Sequence, residues 1–363
     1  MRSGYPIEAA RERVYAGCHW HAIPGREYPH MDMLKVNLPR VFEVAFQDMM
    51  ADTEAQKTVS ALWNKFCFHL QQCVDCIKAG CDVHRAHMHE VFPELAIDLL
   101  CYGPIEEGVD ASDDSLEYYD YGVDAAGLAT VADSFGAIDQ RVGQEGRMTM
   151  VQLSALLADN WQSEGGEYGR RMMSSCPRFG QGGSAADRYA QTIVELFTAL
   201  VADKPTPGGI RLVPGVFGWA SMIDMGRVVG ATGNGRLAQD PISHGPNPSQ
   251  GFRADNAPTA LLKAVANVQP GRGNASPAQL DLDPTVAVDA DAGGILAGLI
   301  KAHFHDGGTQ ISLNVIDRER LLEAYENPAK YPELVVRVTG FSAYFASLSP
   351  EMRKFVLDRI VHQ

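Results

Sequence analysis

Apolar residues recur at helical spacing through most of the first half of the chain. Val41, Val44, Ala45 and Met49 form one stripe between Asn37 and Met50, and a longer helical segment is predicted from Thr58 to about Glu90. Gly127 to Val142 sets Leu128, Val131, Ala132, Phe135 and Ile138 on one face, and Thr149 to Trp161 does the same with Met150, Leu153, Leu156 and Leu157. Ser184 followed by Asp187 is a capping box opening a helix that runs to about Val201. The texture then changes. Ile210 to Trp219 reads as a strand, and Gly226 to Pro258 is rich in Gly, Pro, Asn and Ser with little periodicity, a length of irregular chain that usually has a function or wraps another element. The last third alternates: a helix around Gly294 to Phe304, a strand Gln310 to Val315, and a helix opened by Asp317 and ended at Asn327-Pro328. A strand Leu334 to Val338, a turn at Thr339-Gly340-Phe341, and a helix capped by Ser349 with Pro350 at its first position complete the pattern. Strands alternating with helices predict an α/β fold with parallel strands. No internal repeat interrupts it.

Composition narrows the function classes. With 45 acidic against 31 basic side chains in 363 residues, the formal charge of −14 argues against a nucleic-acid binder, which needs a basic face. A hydrophobic share of 45% is ample for a buried core, and the length suits two or three domains. The longest apolar stretches, Gly294 to Ile300 and Leu334 to Val338, fall far short of a membrane span. The opening residues run into Glu8, Arg11, Glu12 and Arg13 without the apolar core of an export signal, so a cytoplasmic protein is expected. Seven cysteines at irregular spacing read as reduced thiols, some of them reactive, rather than as a disulfide framework.

Candidate chemistry concentrates near the C-terminus, in Leu334-Val-Val-Arg-Val-Thr-Gly-Phe-Ser-Ala-Tyr-Phe345. In most proteins such a string is an ordinary strand ending in a glycine turn. Here it resembles the signature of glycyl radical enzymes, the pyruvate formate-lyase superfamily. The resemblance extends through Gly127–Ser134, Arg178–Gly180, Gly230–Arg236, Pro258–Ala260, Gly307-Gly308 with Asn314-Val315, and Asn327–Tyr331, in the order the family uses, and so covers nearly the whole chain. It implies an α/β fold, the C-terminal half of a ten-stranded barrel with central cysteine and glycine loops. Residues 1–225 would belong to the barrel domain and 226–363 to a glycine radical domain.

Glycine at position 340 also has a physical rationale. A Cα radical is stabilised when planar and conjugated with both flanking amides, and a Cβ would hinder that planarity. Such a site has to be shielded from solvent and oxygen, so Gly340 is expected to be buried. The resemblance gives supporting roles in the radical loop to Arg337, Thr339, Phe341 and Ser342. A stored radical needs an intermediary, and a thiol S–H bond is readily broken by hydrogen-atom transfer. Ala16-Gly17-Cys18-His19-Trp20-His21 is similar to the family's cysteine loop, which makes Cys18 the thiyl residue. An isolated Gly-Cys pair is more often a small buried residue.

The chain departs from the family pattern two residues after Cys18. Many members, notably dehydratases and arylacetate decarboxylases, carry there a glutamate that moves protons; here Trp20 stands in its place and cannot titrate. His19 and His21 flank it and are candidates for general acid/base work, against a bland role of bonding loop backbone. Cys18 lacks the adjacent cysteine of the pyruvate formate-lyases proper, which argues against formate acetyltransferase activity. Arg26 and Glu27 are candidates for binding a substrate carboxylate or hydroxyl, although such a doublet is more commonly a surface ion pair.

Two further features compete. Cys73, Cys76, Cys81, His84, His87 and His89 crowd one predicted helix; such ligand types bind zinc or iron, but a single helix face rarely closes a tetrahedron, and buried thiols with solvent-facing histidines are the default. Val228–Gly235 resembles a phosphate loop, but the strand before it would be only two residues long and Pro241 blocks the helix after it, which argues against nucleotide binding through Gly230–Gly235.

The resemblance therefore predicts a lyase- or dehydratase-type radical enzyme that binds no cofactor beyond its own Gly340 radical. That radical would be installed by a partner, an activating enzyme using S-adenosylmethionine and an iron-sulfur cluster, and passed through Cys18 to a small organic substrate. Family chains are roughly twice as long, so the chain reads as a C-terminal half, either a truncated gene product or a partner for a separate N-terminal half or a homodimer, and open strand edges and apolar faces are expected where the other half would pack. A spare radical domain or a binding module are the non-catalytic alternatives.

Overall fold

The computed structural model describes residues 5–54, 56–253, 257–272, 274–284, 291–338 and 340–361. Three parallel strands form its central sheet, β3 (Glu27–Asn37), β4 (Tyr118–Ala126) and β5 (Leu212–Gly215), in the order β3-β4-β5. Two short hairpins and a parallel pair surround them. β1 (Val14–Ala16) pairs antiparallel with β2 (Trp20–Ala22), β6 (Ala278–Leu282) pairs parallel with β7 (Ile311–Val315), and β8 (Val335–Arg337) pairs antiparallel with β9 (Ser342–Tyr344).

Helices Leu38–Ala51, Val59–Val91, Leu128–Ile138 and Ala185–Ala202 pack on one face of the central sheet. Each begins where its sequence offers a cap or a permissive backbone. Asn37 accepts from Arg40 N–H, Thr58 from Ala61 N–H and Ser184 from Asp187 N–H, while Gly127 supplies a left-handed residue. Their stripes meet Tyr121, Val123 and Ala125 of β4 around Phe66, Phe135 and Phe197, which are fully buried. Each such ring contributes roughly 1.5–3 kcal/mol of transfer free energy. The predicted helix from Gly127 ends as α-helix at Ile138 and continues as a π-helical turn over Asp139–Gln144.

The first half is less helical than the periodicity suggests. β3 and β4 carry Glu27, Asp120 and Asp124 as buried residues, so neither strand reads as the apolar run expected of a parallel strand covered on both faces. The segment Gly230–Gly235 is an irregular loop preceded by the helix Met222–Arg227, not by a strand. Its backbone is occupied internally: Gly230 N–H donates to Glu43, Asn234 N–H donates to Ser134, and Arg236 donates to the carbonyls of Gly226 and Gly230. This is not the strand-turn-helix geometry that cradles a phosphate.

Among the described residues β3 pairs only with β4 and β7 only with β6. Val91, Phe92, Leu95, Leu99, Leu100, Tyr102 and Ile105 are each between 64% and 78% exposed, an apolar face beyond what scattered surface residues produce. β3 and β7 are thus edge strands among the described residues, with one side open to further pairing. No helix among the described residues is long and apolar enough to cross a membrane.

Candidate active site

Two hairpin loops meet at the candidate site. The first, Gly17-Cys18-His19, joins β1 to β2, whose register pairs Ala16 with Trp20; closing it in three residues puts Gly17 at φ +49° and His19 at φ +70°. The second joins β8 to β9, with Arg337 opposite Ser342 and Val338 N–H donating to Phe341 O at 2.9 Å. Gly340, in this second loop, is buried and has φ +97°.

The two loops touch at their tips. A Cβ built on Gly340 would lie 2.8 Å from both Cα and Cβ of Cys18 and 3.1 Å from its Sγ, closer than side chains tolerate. The direction of that absent Cβ is one of the two Cα–H bonds of glycine, so one hydrogen of Gly340 is aimed at Cys18. Allowing one carbon–carbon bond of about 1.5 Å, Gly340 Cα is within about 4.6 Å of the sulfur. Only glycine fits here, on two counts: the left-handed backbone and the contact itself.

Apolar side chains wall the contact. Cys18 is 6% exposed and clusters with Phe217 and Ala275, with Trp20 and Phe341 against them, and the rings of Trp20 and Phe217 meet edge to face at 6.0 Å. The buried Asp124 of β4 accepts from Asn274, which also donates to Val213 O, and so fixes the segment that carries Ala275. Burial pushes the Asp124 carboxyl well above the usual carboxylate range. Arg337 donates to Gly17 O at 3.5 Å and to Ser342 Oγ at 3.5 Å, tying the two loops together. Gln310 donates to the carbonyl of His19. Thr339 lies outside the described residues.

The two histidines differ. His19 Nε2 is buried and has no hydrogen-bond partner among the described residues; burial, and secondly the Arg337 charge, hold its pKa below the ordinary value. The ring stays neutral at neutral pH with one nitrogen uncommitted. His21 instead contacts the Arg13 guanidinium through Nδ1, and burial followed by the Arg13 charge pushes its pKa down to about 4.

Arg26 and Glu27 are not brought together on one face. The Arg26 guanidinium is at the surface between Glu12 and Glu117, at 2.6 and 2.7 Å. Glu27 is buried in a network with Arg13 at 3.0 Å, Tyr5 and Asp120, which also pairs with Arg211, and burial raises its pKa. The Cys/His segment forms part of the single helix Val59–Val91, with Cys81 buried and Cys76 exposed, and no three His, Cys, Asp or Glu among the described residues are arranged to hold a metal ion.

Sequence reading missed Arg359 and Asp281. Arg359, on the helix Pro350–Val361, is 3% exposed and donates to the carbonyls of Arg337 and Val338, next to the glycine loop; it also pairs with the fully buried Asp281 carboxylate of β6. A signal was available: Arg359 falls three and four residues after Val356 and Phe355, on the apolar side of its helix, where a cation calls for a buried partner.

Comparison with known proteins identifies the family. Residues 1–226 match the Pyruvate formate lyase-like family and residues 242–346 the Glycine radical family. The chain is 26% identical over 99% of its length to 47% of trans-4-hydroxy-L-proline dehydratase of Clostridioides difficile. It is 32% identical over 76% of its length to 32% of isethionate sulfite-lyase of Oleidesulfovibrio alaskensis. The glycerol-bound B12-independent glycerol dehydratase of Clostridium butyricum superposes with a TM-score of 0.87 at 25% identity, covering 98% of this chain and 46% of that one. This chain spans less than half the length of these relatives.

Proposed function

The chain belongs to the glycyl radical enzyme family, and from that membership we propose that it carries the radical machinery of a lyase or dehydratase, with Gly340 storing the unpaired electron and Cys18 delivering it. The observation that supports this reading is the tip-to-tip contact of the two loops, with a Gly340 Cα–H directed at the Cys18 thiol. A radical S-adenosylmethionine activating enzyme removes one hydrogen atom from Gly340 in the absence of oxygen. The Gly340 radical takes the hydrogen atom of the Cys18 S–H bond, which restores glycine and leaves a thiyl radical. The thiyl takes a hydrogen atom from a small organic substrate and becomes a thiol again. The substrate radical loses a leaving group by C–O, C–S or C–C cleavage, and the product radical recovers a hydrogen atom from Cys18.

Loss of a hydroxyl or similar group needs a proton donor, and Trp20 provides no carboxylate. His19 suits proton transfer better than His21: its uncommitted Nε2 takes the proton of a substrate hydroxyl and returns it to the leaving group, while His21 is held against Arg13. The substrate belongs to the small polar class named for the relatives, hydroxylated or sulfonated, rather than to acetyl transfer, since Cys18 has no neighbouring cysteine. The relatives are about twice as long as this stretch, and the rest of the substrate pocket belongs to the barrel elements that this stretch does not include. A spare radical domain would need only the glycine, and the packing of Cys18 against it favours catalysis.

Anaerobic incubation with an activating enzyme, read by electron paramagnetic resonance, tests the reading. An organic radical that disappears in Gly340→Ala is expected, together with cleavage of the activated chain at Gly340 on exposure to air. Cys18→Ala should keep the radical and lose turnover of small diols, hydroxyproline and isethionate, assayed with the chain alone and with its complementing half. An unchanged chain length and no radical would overturn it.

A further inference from the structure

The C-terminal helix Pro350–Val361 shares a small apolar core with β8 and the helix Arg318–Glu326, built on Val336, Val338, Phe345, Val356 and Leu357. β6 belongs to a different cluster, with Leu261, Leu262 and Val265. Apolar contact alone therefore leaves the glycine-bearing hairpin and the β6–β7 pair as two packed bodies, and non-directional packing defines their relative position poorly. Polar side chains span both: Arg337 bonds Ser312 and Asn314 of β7, and Arg359 makes the most extensive bridge. Nη1 of Arg359 donates to Val338 O and Nη2 to Arg337 O at 2.7 Å, while the same guanidinium holds the Asp281 carboxylate of β6 with Nε 2.7 Å from Oδ2. Asp281 is in turn fixed by Asn314 of β7, which donates to it at 2.8 Å and accepts from Arg337 N–H at 3.4 Å.

Resting on the assignment of Gly340 and Cys18 above, we propose that Arg359 is a positioning residue: paired with Asp281, it sets the register of the glycine loop against Cys18 and thereby the rate of hydrogen transfer between them. A buried ion pair seldom adds net stability compared with a well-packed apolar pair, because desolvating two charges offsets their attraction. What it supplies here is direction. A planar guanidinium holds two consecutive carbonyls and a carboxylate in one fixed geometry, which an ammonium does not.

The decisive variant replaces both partners by apolar residues, Arg359→Met with Asp281→Leu, so that no charge is left buried alone. In deuterated buffer the Cys18 thiol carries deuterium; when Gly340 takes that deuterium and then gives its remaining hydrogen to the thiyl, the radical carbon is left deuterated and the resonance doublet narrows. With the activated protein, equal spin per chain and an unfolding midpoint within a few degrees of wild type, the double variant is expected to narrow at least tenfold more slowly. Arg359→Lys, which keeps the charge but loses the fork, should fall between. Narrowing at the wild-type rate in the double variant would overturn the proposal.

If the wild type acquires no spin, the assignment of Gly340 fails, and the positioning role is still read without a radical. Amide exchange in β8 and β9 should accelerate at least tenfold in the double variant while β4 is unchanged, and unchanged exchange in β8 and β9 would overturn it. Should the double variant not fold, Arg359→Lys carries both measurements, with a threefold or greater change expected and none refuting.

Discussion

Two glycine-to-alanine substitutions isolate the contact on which the radical reading rests. Gly17 and Gly340 both have positive φ, at +49° and +97°, so alanine at either position incurs roughly 1–2 kcal/mol of backbone strain. They differ in what the new methyl meets. At Gly17 nothing lies within 4 Å, whereas at Gly340 the methyl would sit 2.8 Å from Cys18 Cα and Cβ. Relieving such an overlap in a packed region costs about 1–3 kcal/mol more. Gly340→Ala should therefore weaken docking of the β8–β9 hairpin by about 2–5 kcal/mol, and since each 1.36 kcal/mol is a factor of ten, amide exchange there should rise between about 30-fold and a few thousand-fold. Gly17→Ala should strain its own loop but change exchange in β8–β9 by less than about threefold. Native-state exchange read by mass spectrometry on Val335–Arg337 and Ser342–Tyr344 measures both without activating the protein. If the two variants expose the hairpin equally, Gly340 does not rest on Cys18.

Other expectations follow from the buried charges. Arg13→Met leaves Glu27 and Asp120 without their common cation in a buried setting and should lower stability to urea by about 3–5 kcal/mol, whereas Arg26→Met, at the surface between Glu12 and Glu117, should leave the urea midpoint unchanged. His30, stacked on Tyr121 at 4.4 Å with neither ring nitrogen bonded to another side chain among the described residues, has its pKa pushed down to about 4, first by burial and then by His84. Its protonation favours the unfolded chain, so its destabilisation is absent above about pH 6.5 and grows as pH falls toward 4. His30→Phe should therefore gain up to about 3 kcal/mol relative to wild type between pH 7.5 and 4. Asp133, pushed up to about 6 by burial, has the opposite dependence in both proteins, so the check is the difference between them and not either curve alone. A pH-independent difference would refute the assignment.

The chain's local patterns were sufficient for most of its longer helices, though not for Gly166–Ser174 or Pro258–Ala266, and they singled out the two loops. Stripes such as Leu128, Val131, Ala132 and Phe135, the Ser184–Asp187 box and the Ser349-Pro350 start act within one or two turns, so spacing alone reveals them. Gly340 and Cys18 stood out through the residues around them. β3 and β4 did not, because their buried faces carry Glu27, Asp120 and Asp124, whose partners Arg13, Tyr5 and Asn274 come from distant parts of the chain. Nor does the sequence distinguish His19, with its open nitrogen, from His21, held by Arg13. The separation of Arg26 from Glu27 and the bridge from Arg359 to Asp281, 78 residues apart, belong to the same category. Periodicity records which side of an element is apolar; it holds nothing about which distant element arrives there. A buried charge is stable only when an opposite charge or a carbonyl reaches it, so those positions were decided by tertiary packing.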